Sequence, residues 1–191
     1  MEKCDWALSS ESEEKYHDEE WGVPIHDDRL LFEFLILEGA QAGLSWSTIL
    51  NKRAGYRKAF DDFDANKIAL YGQQKIEQLL NNPEIIRNKL KVNAAITNAK
   101  AFLEIQQQQG GFDQYIWQFI QGQTIQNHWQ QFDQVPISTE QSEQMSKSLK
   151  QKGFKFVGPT ICYAYMQAVG MVNDHTVDCF RHKQLDYSAI N

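Results

Sequence analysis

Residues 153–170 read GFKFVGPTICYAYMQAVG. Two helical stretches meet here at a tight turn, FVGPT. Gly158 can take a positive φ or let another backbone approach closely. Pro159 suits the first turn of a helix that runs through TICYAYMQAVG and stops at Gly170. Upstream, Thr139 can cap EQSEQMSKSLKQKG, with Gly153 ending it. The spacing predicts a helical hairpin. The start of its second helix offers free N–H groups and the positive end of the helix dipole, which suits a phosphate. Lys147, Lys150, Lys152 and Lys155 lie just upstream, with no acid in KSLKQKGFKF. Such an element can hold a nucleic-acid backbone without reading its sequence. The same residues also fit an ordinary turn between two helices.

Helical patterns continue outward from the hairpin. Asp27 or Asp28 can cap a helix through LLFEFLILEG to about Glu38, with Gly39 as its stop. A second helix follows Ser45 through WSTILNKRAGYRKAF, and Asp64 can cap a short one through IALYG. In IIRNKLKVNAAITNAKAFLEIQQQQGG, apolar residues recur at helical spacing from Leu90 through Ala94, Ile96 and Ala101 to Leu103. QQQQGG reads as a fraying end, FDQYIWQFI as a short helical piece, and QGQTIQNHWQQFDQVPIST as a polar surface connection. No stretch alternates long enough for a sheet, and no internal repeat appears. The expected fold class is all-α.

Composition limits the function. The chain has 191 residues, 42% hydrophobic and 12% aromatic, enough to build a core. Three cysteines do not make a disulfide framework. No apolar run approaches the roughly 20 residues of a membrane span. The acidic start MEKCDWALSSESEEKYHDEEW lacks the features of a signal peptide. A soluble, cytoplasmic monomer without a membrane partner is expected. The net charge of −6 gives no general attraction to nucleic acid, so any phosphate-binding face must be local.

The residues able to do chemistry lie toward the two ends. VNDHTVDCF places His175 and Cys179 four positions apart, on one face if the stretch is helical. A structural zinc site wants four ligands. Cys4, His17 and His26 are candidates at the other end; each is otherwise a buried thiol or an ordinary histidine. Cys162 fits a buried apolar role in TICYAYM. In LEGAQAGLSWSTIL, Glu38 ends a very apolar helix and is either solvated or lines a pocket. Tyr16, Trp46, Trp6 and Trp21 add aromatic faces. Together with one carboxylate they can hold a flat, cationic base, or they simply pack as core. Gly43 and Leu44 lie in an exposed turn, where Leu44 is a wedge or a loop leucine packing down.

Taken together, MEKCDW, YHDEEWGVP, LEGAQAGLSW and KGFKFVGPTICYAYMQAVGMVNDH resemble the 3-methyladenine DNA glycosylase I family, from Met1 to about Cys179. The resemblance implies a helix-hairpin-helix glycosylase fold in a single domain over residues 1–191, with the base pocket between two packed helical lobes. Cys4, His17, His175 and Cys179 correspond to the ligands of one structural Zn2+ that ties the chain ends together. Glu38 corresponds to the pocket carboxylate. Tyr16 and Trp46 correspond to pocket walls, with Trp6 and Trp21 beside them. Leu44, after Gly43, corresponds to the residue that fills the space left by an extruded base. The hairpin around Gly158, with Lys155 and Thr160, corresponds to the phosphate clamp.

The implied activity is hydrolysis of the N-glycosidic bond of 3-methyladenine in alkylated double-stranded DNA. It frees 3-methyladenine and leaves an abasic site, without strand cleavage, since no Schiff-base lysine stands in these motifs. One departure matters. Glu13 stands where the family commonly has an aromatic, so one pocket wall is missing or comes from another residue. The tail RHKQLDYSAIN carries nothing over. The alternatives are a zinc-stabilised DNA-binding module without catalysis, and a glycosylase with a broader range of alkylated bases.

Overall fold

A computed structural model describes residues 2–186. The helices are α1 (Glu11–Glu19), α2 (Asp28–Gln41), α3 (Trp46–Ala59), α4 (Ala65–Ile68), α5 (Gln73–Leu80), α6 (Lys89–Gln109), α7 (Phe112–Trp117), α8 (Glu140–Gln151), α9 (Pro159–Ala168) and α10 (Phe180–Gln184). The all-α expectation needs one small amendment. Ile125–Gln126 (β1) pairs in parallel with Val172–Asn173 (β2). A two-residue pair leaves no alternating pattern long enough to read.

Helix α2 is the centre of the molecule. Leu31 through Ala40 are all buried, which marks a helix surrounded by other elements. Asp27 caps it by accepting the Leu30 N–H at 2.9 Å. The helix runs through Gly39 instead of stopping there. A Cβ at Gly39 would lie 3.2 Å from the Cβ of Phe156 in the hairpin, so this glycine serves close packing rather than termination. The aromatic contacts Phe32–Phe102 (4.8 Å), Phe102–Phe112 (4.7 Å) and Phe112–Phe154 (6.0 Å) join α2, α6, α7 and the hairpin in one core. Beside it, buried Glu33 on α2 meets Arg53 at 2.6 Å and Arg57 at 2.8 Å. Arg53 also meets Glu20 at 2.6 Å. This pairing lets charged groups pass between α2, α3 and the end of α1.

The hairpin is α8, a turn, and α9. Thr139 caps α8, accepting the Ser142 N–H at 3.3 Å. Gly153, at φ +94°, ends it. In the turn, the positive φ falls on Phe156 (+55°), whereas Gly158 is extended at φ −66°, ψ 162°. Of the two roles open to Gly158, the positive φ is therefore excluded, and the close approach of another backbone is left. A Cβ there would meet nothing within 4 Å, so the space over it is open. Asn98 of α6 pins the turn, accepting the Lys155 N–H at 2.7 Å and donating to its carbonyl at 3.0 Å.

The turn between α2 and α3 is also built from the backbone. Ala42 (φ −42°, ψ 114°) and Gly43 (φ +79°), closed by Leu44 N–H to Gln41 carbonyl at 2.7 Å, make a type II turn. Lys91 donates to the Ala40 and Ala42 carbonyls, both at 2.7 Å. Leu44 stands 40% exposed on this rigid tip. Ser45 caps α3, as its position predicts. No helix among the described residues is long and apolar enough to cross a membrane.

Candidate active site and metal cluster

A cavity of about 290 Å3 is lined by Trp6, Glu13, Tyr16, Trp21, Glu38, Gln41, Trp46, Phe132, Ala164 and Gln167. Trp6 comes from the turn before α1, and Tyr16 from the buried side of α1. Glu38 and Gln41 lie one turn apart on α2, and Trp46 is the first residue of α3. The rings form a connected wall. Trp6 lies 5.0 Å from Trp21 and 6.4 Å from Tyr16, and Tyr16 lies 5.4 Å from Trp46. All four aromatics read from the sequence therefore meet at one place, together with Glu38. Gln41, Phe132, Ala164 and Gln167 carry no sequence signal that marks them as site residues.

Two features give this cavity chemistry. Glu38 is only 4% exposed, and no hydrogen bond or ion pair links its carboxyl to another described residue. Burial pushes its pKa up to about 8. The Trp6 Nε1–H, the Tyr16 O–H and the Trp46 Nε1–H are also buried without a partner. Burial, and then the proximity of Glu38, hold the Tyr16 phenol well above its ordinary range, so it stays a donor. Unpaired buried polar groups are costly, and a ligand that meets those on the cavity's lining residues recovers that cost. Three unpaired donors on lining residues, one carboxyl and aromatic faces suit a flat, polar-edged molecule with positive charge.

Cys4, His17, His175 and Cys179 gather behind this wall, all buried, with their ligand atoms within 4.8 Å of one another. The nitrogen–sulfur distances are 3.6 Å from Cys4 to His175, 3.5 Å from Cys179 to His175 and 3.4 Å from Cys179 to His17. A tetrahedral zinc with ordinary Zn–S and Zn–N bonds requires such edges to be about 3.5 Å. Each imidazole has its other nitrogen engaged. His17 Nδ1 is 2.8 Å from Asp18, and His175 Nε2 is 3.1 Å from the Trp21 carbonyl. These contacts turn the other ring nitrogens toward the cluster, where a metal can meet them; His17 Nε2 there also lies 3.4 Å from the Cys4 backbone N. Burial lowers the pKa of His175 and favours its neutral, ligating form. Cys179 is held low, first by Cys4 and also by the two histidines, while Cys4 is pushed up by the same contact and by burial. Without a dication the pair keeps one proton; with one, both thiols can ionise.

His175 and Cys179 do not lie on a helix. They flank a turn after β2, and Cys179 is the cap of α10. Two other candidates fall outside the cluster. His26 pairs with Asp113 at 2.7 Å and stacks on Trp117. Cys162 is buried with its thiol on the Val157 carbonyl, as its apolar surroundings predict. At the hairpin, Lys155 and Thr160 are exposed beside Gly158. Residues 187–191 of the tail, and Met1, lie outside the described residues.

The chain was compared with known proteins. The model of the methyladenine glycosylase family matches residues 6–182. DNA-3-methyladenine glycosylase 1 of Escherichia coli (strain K12) is 45% identical over 179 residues, covering 94% of this chain and 96% of the relative. A crystal structure of 3-methyladenine DNA glycosylase I superposes with a TM-score of 0.92 at 47% identity, covering 94% of this chain and 98% of that one. A variant of 3-methyladenine DNA glycosylase I, solved in complex with 3-methyladenine, superposes with a TM-score of 0.91 at 34% identity, covering 94% and 97%.

Proposed function

The chain belongs to the methyladenine glycosylase family, and from that premise we propose that it is a monofunctional DNA-3-methyladenine glycosylase. It hydrolyses the N-glycosidic bond of 3-methyladenine in alkylated double-stranded DNA and leaves an abasic site. One observation carries the reading. Unpartnered Glu38 and three residues with unpartnered donors, Trp6, Tyr16 and Trp46, line a single aromatic cavity.

An adenine methylated at N3 is a cation and leaves as a neutral base, so strong protonation of the leaving group is not needed. The enzyme's work is extrusion, recognition and alignment of water. Unstacking costs a few kcal/mol. Leu44 on its rigid turn fills the gap, with Gly43 supplying the turn. The backbone over Gly158 is held at the start of α9, with Lys155 and Thr160 beside it. In the cavity, Glu38 accepts from the N–H edge of the base, and Trp6, Tyr16 and Trp46 offer their donors to its acceptors. Each aromatic face adds about 0.5–2 kcal/mol of cation–π attraction. Neutral adenine gains less from both terms, so discrimination is electrostatic. Among the described residues lining the cavity there is no lysine, so no Schiff base forms and no strand is cut.

In this reading residues 1–191 form one helix-hairpin-helix domain with the pocket between two lobes. The protein works in the cytoplasm as a monomer. Cys4, His17, His175 and Cys179 hold one Zn2+. Four protein ligands leave no open position for water, so the metal supplies structure and no step of the reaction.

The test is release of free base from methylated DNA by wild type and Glu38→Gln, resolved by chromatography. The amide keeps the side chain's shape and, like the protonated carboxyl, puts no charge in the empty cavity, so the variant is expected to fold. Wild type frees 3-methyladenine, and the variant frees at least about tenfold less. Equal release by both would remove Glu38 from the mechanism. No release by either would leave a DNA-binding module.

A further inference from the structure

Part of the cavity wall comes from a segment whose polar composition reads as a surface connection. Phe132 lines the cavity from a short 3-10 turn, Phe132–Gln134. Its ring is 37% exposed, so the fold does not bury it as core. Trp6, Tyr16, Trp21 and Trp46 touch one another, whereas Phe132 makes no ring contact with any described residue.

The segment is firmly held. Gln134 Oε1 accepts the N–H groups of Gln130 at 2.8 Å and Gln131 at 3.2 Å. Trp129 Nε1–H and Asn127 Nδ2–H donate to one oxygen of Asp174, at 2.8 and 2.7 Å. The other Asp174 oxygen accepts from the Tyr163 hydroxyl at 2.7 Å and Gln167 Nε2 at 2.8 Å. Gln167 itself lines the cavity. A single buried carboxylate thus ties the segment carrying Phe132 to α9. A ring held at a cavity mouth, solvated on one side and unmatched by another ring, is placed to meet a flat ligand.

Glu13 sharpens the point. It lines the same cavity, but a carboxylate has no π face, and its Oε2 accepts the Ser10 hydroxyl at 2.9 Å. It cannot stack on a base. We propose, resting on the glycosylase reading, that Phe132 is a base-contacting, specificity-determining residue. Its ring stacks on the extruded, N-alkylated purine at the cavity mouth and supplies the face that Glu13 does not. Asn127, Trp129 and Asp174 are positioning residues for it.

The test titrates wild type, Phe132→Ala, Phe132→Leu and Phe132→Tyr with free 3-methyladenine, followed by tryptophan fluorescence. Base release from methylated DNA and thermal melting are measured alongside. Base–aromatic stacking predicts that Phe132→Ala weakens free-base binding by roughly tenfold. Phe132→Tyr should stay within about twofold of wild type, and Phe132→Leu should fall between. Melting changes little, because the ring is partly solvated. If Phe132→Ala fails to fold, the other pair decides: binding kept by Tyr and weakened in Leu supports the assignment, and equal binding overturns it. Unchanged free-base binding in Phe132→Ala overturns it too, as does loss confined to DNA affinity, since the ring would then touch the strand. If wild type neither binds nor frees 3-methyladenine, the glycosylase reading fails and the assignment falls with it. Release by wild type that is matched by Phe132→Ala sinks this assignment alone.

Discussion

Burial of Glu38 gives the site a pH dependence whose sign can be worked out. Its pKa is raised to about 8, so the empty cavity holds a neutral carboxyl at pH 7. A cationic base is best met by the carboxylate, so binding it must expel a proton. As pH rises through 8 the free enzyme loses that proton by itself. For N3-methylated adenine in DNA, kcat/KM is therefore expected to climb by up to about tenfold per pH unit below pH 8 and level off above it. Spontaneous depurination is subtracted from each rate. Glu38→Gln should show a flat, low profile. A wild-type profile with no slope below pH 8 would mean that the base does not meet an ionised Glu38. At this scale the sequence was informative where a residue type is rare in its setting. A glutamate inside LLFEFLILE and tryptophans near a carboxylate stand out. Gln167 and Phe132 do not, because one sits within an apolar helix and the other in a glutamine-rich run, and only folding brings them to Glu38.

The elements that hold these residues meet at their ends. The close of α9 is a Schellman motif: Met171 N–H bonds the Met166 carbonyl at 2.9 Å, and Gly170 N–H bonds that of Gln167 at 3.4 Å. Residues 22–25 lie across it, with Gly22 N–H on the Gln167 carbonyl and Ile25 N–H on that of Val169, both at 3.1 Å. Gly170 has φ +73°, and a Cβ there would stand 2.4 Å from Pro24 N and from Val23 C. Both contacts are backbone and cannot move aside. Gly170→Ala is expected to cost roughly 2–4 kcal/mol and to lower Tm by roughly 5–15 °C. It should also weaken free-base binding, because the displaced segment follows directly on Trp21, which lines the cavity. A melting curve like that of wild type would show that the crossing is loose. Gly170 was readable as a helix stop but not as a crossing point, since sequence carries no record of which strand lies over a helix end. Elements with strong caps and apolar spacing, α2, α3, α6, α8 and α9, were also readable. Helix α1 was not, because ESEEKYHDE is polar apart from Tyr16 and owes its packing to the wall and cluster it serves. Nor was α5, whose short run QQKIEQLL lies among polar turns. The four-residue spacing of His175 and Cys179 fits one face of a helix, but a turn brings them together equally well.

At the scale of the molecule, the metal cluster and the cavity share the same pieces of chain. Tyr16 lines the cavity and His17 faces the cluster. Cys4 stands two residues before Trp6, and the Trp21 carbonyl accepts from His175. The chain ends are otherwise joined by few bonds, among them Phe180 N–H to the Glu2 carbonyl at 3.0 Å. A dication on the four ligands would therefore hold the aromatic wall in place without touching the base. Stripping it with a chelator is expected to release one zinc per chain and lower Tm by roughly 10 °C or more. Cys179→Ser should reproduce both effects. Free-base affinity should fall as the wall loosens, while turnover per folded molecule changes less than about threefold, since a closed four-ligand site has no position for a reacting water. The measurements are metal content by elemental analysis, melting with and without chelator, and single-turnover base release corrected for the folded fraction. Turnover lost at unchanged Tm would move the metal from the frame of the molecule into its chemistry. Stability lost with turnover kept would leave catalysis to Glu38 and the aromatic cavity.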